Sequence, residues 1–172
     1  MATAPAKSDA QRSLGSEATT AGVRVKVTPT YLADRSDPEG VREDFGSARF
    51  VFGYRIRITN ESDRTVQLLS RHWIIVDADG HRSDVNGEGV VGQQPVLAPG
   101  QSFEYSSICP LPTPWGTMEG TYRFREVPPP LTTSSSADPA PDRAGAADRR
   151  PAEFPVNVAR FFLVSPFAAS RE

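Results

Sequence analysis

Residues 87–95 read GEGVVGQQP, and Gly87, Gly89 and Gly92 stand at the G-x-G-x-x-G spacing of a dinucleotide-binding loop. That loop works where it joins a strand to a helix N-terminus, whose amides meet the pyrophosphate. Here the glycines run toward Pro95, Pro99 and another strand-like segment. A Rossmann site is therefore set aside. Two readings of the loop remain. One is a tight connection that needs positive φ, which glycine adopts at no steric cost. The other is a nest of free amides that binds an anion, built on Gly87, Gly89, Gly92 and Gln93. Its ligand would be a phosphate-containing small molecule, pyrophosphate or a nucleotide. Either way, Gly89 or Gly92 is expected at φ > 0.

The other reactive residue types are sparse. In DADGHRSDVNGE, Asp77, Asp79 and Glu88 fall at positions 1, 3 and 12 of a calcium-loop template. Arg82 occupies the position that needs glycine, and the flanks look like strands, so the segment reads as a hairpin turning at Asp79-Gly80. His72 and His81 are too few for a transition-metal site, even if they meet near Asp77. Cys109 is the only cysteine, which excludes an internal disulfide and any zinc site built on several cysteines. It sits beside proline with no evident base, so it reads as structural. No carboxylates are spaced as an acid/base pair. No catalytic residue, metal site or cofactor is expected. In Arg71-His72-Trp73, either Arg71 and Trp73 form an exposed anchor pair for a partner, or one of His72 and Trp73 packs inward and Arg71 is solvated. Alternation sends His72 and Trp73 to opposite faces.

A chain of 172 residues with a net charge of −2 has room for one domain and no global field toward nucleic acid. Of its 19 basic residues only Lys7 and Lys26 are lysines, a bias that suits bidentate anion binding and also fits a GC-rich coding sequence. No apolar run is long enough to span a membrane, and the N-terminus lacks a secretory signal core, so a cytoplasmic location is expected.

The elements that must position these residues are strands. VRVKVTPTYL and RFVFGYRIRITN alternate apolar and polar residues with period two. TVQLLSRHWIIVD is apolar on both parities, as a strand covered on both sides would be. Pro99-Gly100 marks a turn, and the segments from Ser102 and Met118 alternate again. About seven short strands indicate an all-β sandwich. Residues 1–22 read as a disordered tail, residues 23–164 as the domain and residues 165–172 as a C-terminal tail. Residues 128–153 are rich in Pro, Ser, Ala and Asp and read as a disordered inserted loop. The apolar FPVNVARFFLV beyond it is expected to return as a core strand through Phe154, Val156, Val158 and either Phe161 or Phe162. A bulge near Arg160 would keep that charge out of the core.

VQLLSRHWIIVDADG, VNGEGVVGQQPVLAPGQSFEYSS, TPWGTMEGTY and FPVNVARFFL, taken together and in this order, resemble the ApaG domain family. The likeness runs from about Val23 to Val164. It implies an immunoglobulin-like, fibronectin type III-like sandwich. It also implies an association with cobalt and magnesium efflux or resistance, which with no membrane span would be indirect. The family has no established catalytic residues to carry over. It recurs as a module in larger proteins, which points to a non-enzymatic protein-interaction role. In the fibronectin-type sandwich that the resemblance implies, the first two strands pair antiparallel in one sheet, and their alternation adds a candidate surface. Arg24 and Lys26, and Arg55 and Arg57, should share the outer face of one sheet, with Glu104 from a neighbouring strand neutralising part of it. That face would dock an acidic protein partner.

Overall fold

The computed structural model describes residues 14–41, 48–130 and 152–169. Among these residues nine strands form in chain order: β1 (Ser16–Thr20), β2 (Val23–Tyr31), β3 (Phe50–Asn60), β4 (Val66–Asp77), β5 (Arg82–Glu88), β6 (Val96–Leu97), β7 (Ser102–Leu111), β8 (Trp115–Glu126) and β9 (Glu153–Val164). They make two antiparallel sheets packed face to face. One runs β1-β2-β3-β7 and the other β5-β4-β8-β9, with β6 paired to the start of β4. The all-β sandwich read from the alternation is the observed fold. Among the described residues the count rises from about seven to nine because β1 carries little apolar signal and β6 is only two residues long.

Period-two patterning builds the core directly. Val23, Val25 and Val27 of β2 and Phe52, Tyr54, Ile56 and Ile58 of β3 are buried on one sheet. Leu68, Trp73, Met118, Tyr122, Phe124, Val156, Val158, Phe161 and Leu163 meet them from the other. Trp73 is ringed edge-on by Tyr54, Tyr122 and Phe161 at centroid distances of 5.7–6.0 Å. It packs over Gly120, where an added Cβ would lie 2.8 Å from its ring and 2.2 Å from the His72 carbonyl oxygen.

Two bulges set which residues face that core. In β9, Val158 pairs with Gly120 and Phe161 with Met118, so two residues of β9 oppose one of β8. The inward parity switches from Val156 and Val158 to Phe161 and Leu163, leaving Phe162 outside. Arg160 turns to solvent, where its guanidinium meets Glu119 at 2.7 Å. This is the shift expected to spare the core a buried charge. In β4, Leu68 pairs with Phe124 and Ser70 with Arg123, so Leu69 is the extra residue. The double-parity apolarity of β4 is therefore corrected. It marks a bulge that moves the core face from Val66 and Leu68 to Trp73, and the other parity is only half-covered.

Both domain boundaries shift outward. Ser16–Thr20, placed in the N-terminal tail, form edge strand β1, joined to β2 by Ala21 and Gly22 at φ of 50° and 77°. That is the two-residue geometry a twisted hairpin favours. At the other end, Pro166–Ala169 form a 3-10 turn that sets Phe167 against Tyr31 and Phe50. Of the insertion read at 128–153, residues 131–151 lie outside the described residues, and Glu153 already belongs to β9.

Candidate functional site

The two sides of the sandwich are closed differently. On one side β1 lies against β9. There the Ser16 hydroxyl donates to the Ala159 carbonyl at 2.6 Å, and the Asn157 amide donates to the Thr20 hydroxyl at 3.2 Å. On the other side β7 and β5 are each the last strand of their sheet. Between them opens a cleft of about 400 Å³ lined by Tyr54, Arg71, Trp73, Ile75, Ile108 and Cys109, among others. Val85 and Ile108 stand at its mouth with their apolar side chains exposed.

Arg71 reaches this cleft because of the Leu69 bulge. Without the extra residue its side chain would share the outward face. With it, Arg71 joins Trp73 on the inner parity, at the margin of the core. Its Nη1 donates to the carbonyls of Glu88 at 3.1 Å and Gly89 at 2.6 Å. Gly87 stands opposite Arg71 in register, and a Cβ there would lie 2.8 Å from the guanidinium carbon. The missing side chain of Gly87 is thus the seat of Arg71.

The ionisable groups around Arg71 are held neutral. Burial raises the Tyr54 phenol, opposed by a hydrogen bond with Ser107. Burial also raises Tyr105 and Tyr122, whose hydroxyls bond each other at 2.5 Å. The Cys109 thiol is pushed up to about 12 by burial. At neutral pH these phenols and the thiol are protonated, so the cleft presents aromatic surface, hydroxyls and the held Arg71 cation, with the Asp77 carboxylate and His81 also in its lining. Nucleophilic chemistry would need a thiolate or an adjacent base.

The glycine loop is a hairpin turn of its own. Val90 and Gln93 exchange both backbone hydrogen bonds, at 2.8 and 2.9 Å. The two residues between them, Val91 and Gly92, have φ of 44° and 76°, and Gly89 has 59°. Positive φ at both Gly89 and Gly92 matches the expectation. The Gly89 amide donates to the Leu69 carbonyl freed by the bulge, and the Gln94 side-chain amide donates to the same oxygen. Of the amides from Gly89 to Gln93, only those of Val91 and Gly92 have no acceptor among the described residues. The anion nest drawn from Gly87, Gly89, Gly92 and Gln93 is therefore mostly consumed internally.

Arg71 and Trp73 do not form an exposed anchor pair. Trp73 is 2% exposed and belongs to the core. His72 does face away from it, on the outer side, where its Nε2 meets Asp84 at 2.9 Å. His81 lies beside Asp77 at the end of β4, so the two histidines do not share a site. Asp77, Asp79 and His81 can bring one ligand atom each within 4.8 Å of one another. One Asp77 oxygen already accepts the amides of Asp79 and His81, at 2.9 Å each, as the cap of the hairpin.

The four cations Arg24, Lys26, Arg55 and Arg57 do share the outer face of the β1-β2-β3-β7 sheet. Lys26 pairs with Arg57 across β2 and β3, and Arg57 pairs with Glu104 across β3 and β7. The face is more neutral than the sequence indicates, because the unexpected β1 brings Glu17 opposite Lys26. Glu17 pairs with Arg24 at 3.4 Å and Lys26 at 3.9 Å, Glu61 with Arg24 at 3.0 Å, and Glu104 with Arg55 at 2.6 Å. Arg57, and Arg35 from the turn Ala33–Arg35, form no ion pair among the described residues. Sequence reading missed Arg35, Tyr54, Tyr105 and Tyr122. The Leu68-Leu69 doublet that interrupts alternation was the signal for the inward pose of Arg71.

These features define an all-β sandwich domain with one sealed side and one open side. The model of the ApaG domain family matches residues 42–126. Protein ApaG of Anaeromyxobacter dehalogenans is 51% identical over 109 residues, 63% of this chain and 80% of that protein. Protein ApaG of Bordetella pertussis is 53% identical over 98 residues, 57% of this chain and 70% of that one. A crystal structure of a Bordetella pertussis protein named ApaA superposes with a TM-score of 0.64 at 40% identity, covering 84% of this chain and 94% of that chain. The chain belongs to the ApaG family.

Proposed function

We propose that the protein works by binding rather than by catalysis, as a cytoplasmic protein-interaction module that docks an acidic partner. The observation that carries this reading is the outer face of the β1-β2-β3-β7 sheet. There the exposed Arg55 and Arg57 stand beside one another in β3, and Arg57 is unpaired among the described residues. The strand order, β2-β3-β7 facing β5-β4-β8-β9, supports a fibronectin type III-like sandwich, a scaffold that offers faces and edges to partners. The protonated thiol and phenols of the cleft support the non-enzymatic reading. Among the described residues no helix is long and apolar enough to cross a membrane, so a link to cobalt or magnesium homeostasis would run through a partner. A phosphate-containing ligand at residues 87–93 is the weaker reading, since most of the amides it needs are already bonded.

The test is co-purification with quantitative mass spectrometry, at low and high salt, using the wild type and the double variant Arg55→Glu/Arg57→Glu. Both side chains are exposed, so losing the surface Arg55–Glu104 pair and setting like charge beside Glu104 should cost only about 1 kcal/mol and leave the domain folded. A partner retained at low salt and lost in the variant supports the reading. Equal recovery by both proteins would refute it.

A further inference from the structure

β7 is an edge strand with one open side. At the two ends of the β3–β7 ladder the Asn60 amide donates to the Gln101 carbonyl at 2.9 Å, and the Arg49 amide donates to the Leu111 carbonyl at 3.0 Å. Antiparallel ladders alternate, so the odd-numbered residues of β7 direct their backbone groups at β3. The even-numbered ones, Ser102, Glu104, Ser106 and Ile108, direct theirs outward. Pro110 agrees with this assignment, because a residue without an N–H is tolerated in a strand only where that N–H would face away from the sheet. Among the described residues no strand pairs with this outer edge.

Natural edge strands are guarded by charge, proline, covering loops or brevity. β7 is ten residues long, and its proline guards only its far end. Among the described residues no strand covers it, and it has a depression on each face. On the core side is the cleft holding Arg71 and Trp73, with Ile108 at its mouth. On the outer side is a hollow of about 460 Å³ lined by Thr28, Thr30, Arg35, Arg55, Ser106 and Ile108, among others. Gly53 presents no side chain there, and the Leu32 side chain lies nearest, 3.4 Å from where its Cβ would stand. An added strand sends alternate side chains to opposite faces. One set would fall in the aromatic cleft and the other beside Arg35 and Arg55.

We propose that an extended segment of a partner protein, alternating apolar and acidic residues, adds as a strand to the free edge of β7. Its apolar side chains enter the cleft by Ile108 and Trp73, and its carboxylates meet Arg35 and Arg55. The backbone supplies affinity and the two depressions supply selectivity. A second copy of this chain fits the edge less well. Self-pairing about Ser106 would set Ile108 of each copy against Glu104 of the other, placing an apolar side chain beside a carboxylate already bonded to Arg55. This proposal rests on the interaction-module reading and names its surface.

The experiment selects a displayed library of random eight-residue peptides against the full chain, then follows the backbone amides of labelled protein by NMR with the enriched peptide. The enriched sequences should alternate Asp or Glu with apolar residues. The amides of Glu104, Ser106 and Ile108 should shift and become slow to exchange. Ser106→Pro deletes one outward N–H without touching the β3 ladder and should weaken binding about tenfold. Arg35→Glu, remote from the core, should do the same and guards against a folding failure in the proline variant. Binding with shifts confined to β2 and the far part of β3 overturns the edge proposal and leaves the module reading standing. No enrichment overturns both. Protection of the same three amides on raising protein concentration without peptide would assign the edge to a second copy and overturn the acidic segment.

Discussion

Val91 is the residue to change first. It is β-branched, sits at φ 44° at the tip of the turn between Val90 and Gln93, and is 52% exposed. The left-handed region costs an L-residue about 1–2 kcal/mol, and branching at Cβ places valine toward the upper end. Asparagine visits that region with little strain, and Asn-Gly is the favoured pair for this type of two-residue hairpin turn. Because half of the valine surface is already in water, little burial is lost in the exchange. Val91→Asn should therefore stabilise the domain by about 1 kcal/mol, raising the melting temperature by roughly 2–4 °C. Two glycine variants bracket the argument. Gly92→Ala meets no atom within 4 Å and should cost only the φ penalty of about 1 kcal/mol. At Gly89 a Cβ would lie 2.2 Å from the Gln93 carbonyl oxygen, so Gly89→Ala should cost clearly more. Urea denaturation of the three variants, with the slope held constant, measures all of this. A destabilised Val91→Asn, or equal losses at Gly89 and Gly92, would refute these turn energetics.

Truncation after Pro151 removes β9, and with it the buried Val156, Val158, Phe161 and Leu163. At about 1.5–3 kcal/mol each, their loss is comparable with a whole domain's stability, so the truncated chain should show no cooperative melting transition; a sharp transition would contradict it. Stability should also fall in acid. Burial alone would raise the Asp77 carboxyl, but the amides of His81 and Asp79 outweigh it and hold it below its usual value, and Arg82 with His72 lowers Asp84. Folded values below the unfolded ones contribute stability above about pH 4 that is lost as pH falls through the folded values. The melting temperature should drop through that window, and Asp77→Asn, which cannot titrate, should show a shallower drop; parallel curves would exclude Asp77.

Alternation with period two is a local property, so β2, β3, β7 and β8 could be read in the sequence together with their inward residues. The same logic extended to Arg160, where a charge at an inward position demanded a bulge. In β4 it stopped short. Leu68-Leu69 signals an irregularity, but only pairing with β8 decides that Leu69 is the extra residue and that Arg71 and Trp73 turn inward. Gly89 and Gly92 could be recognised as left-handed positions from their spacing. That the amides beside them are spent on Leu69 and on each other depends on strands far apart in the chain. Ser16–Thr20 carry almost no apolar signal, because that strand is held by backbone bonds to β2 and by contact with β9. Its Glu17 then neutralises cations that the sequence left exposed. Strand periodicity, and through it the sandwich and most of its core, follows from the order of the residues alone. Which edges were sealed, where Arg71 pointed and which cations kept their charge unpaired were decided only by tertiary structure, because each depends on groups brought together from distant strands.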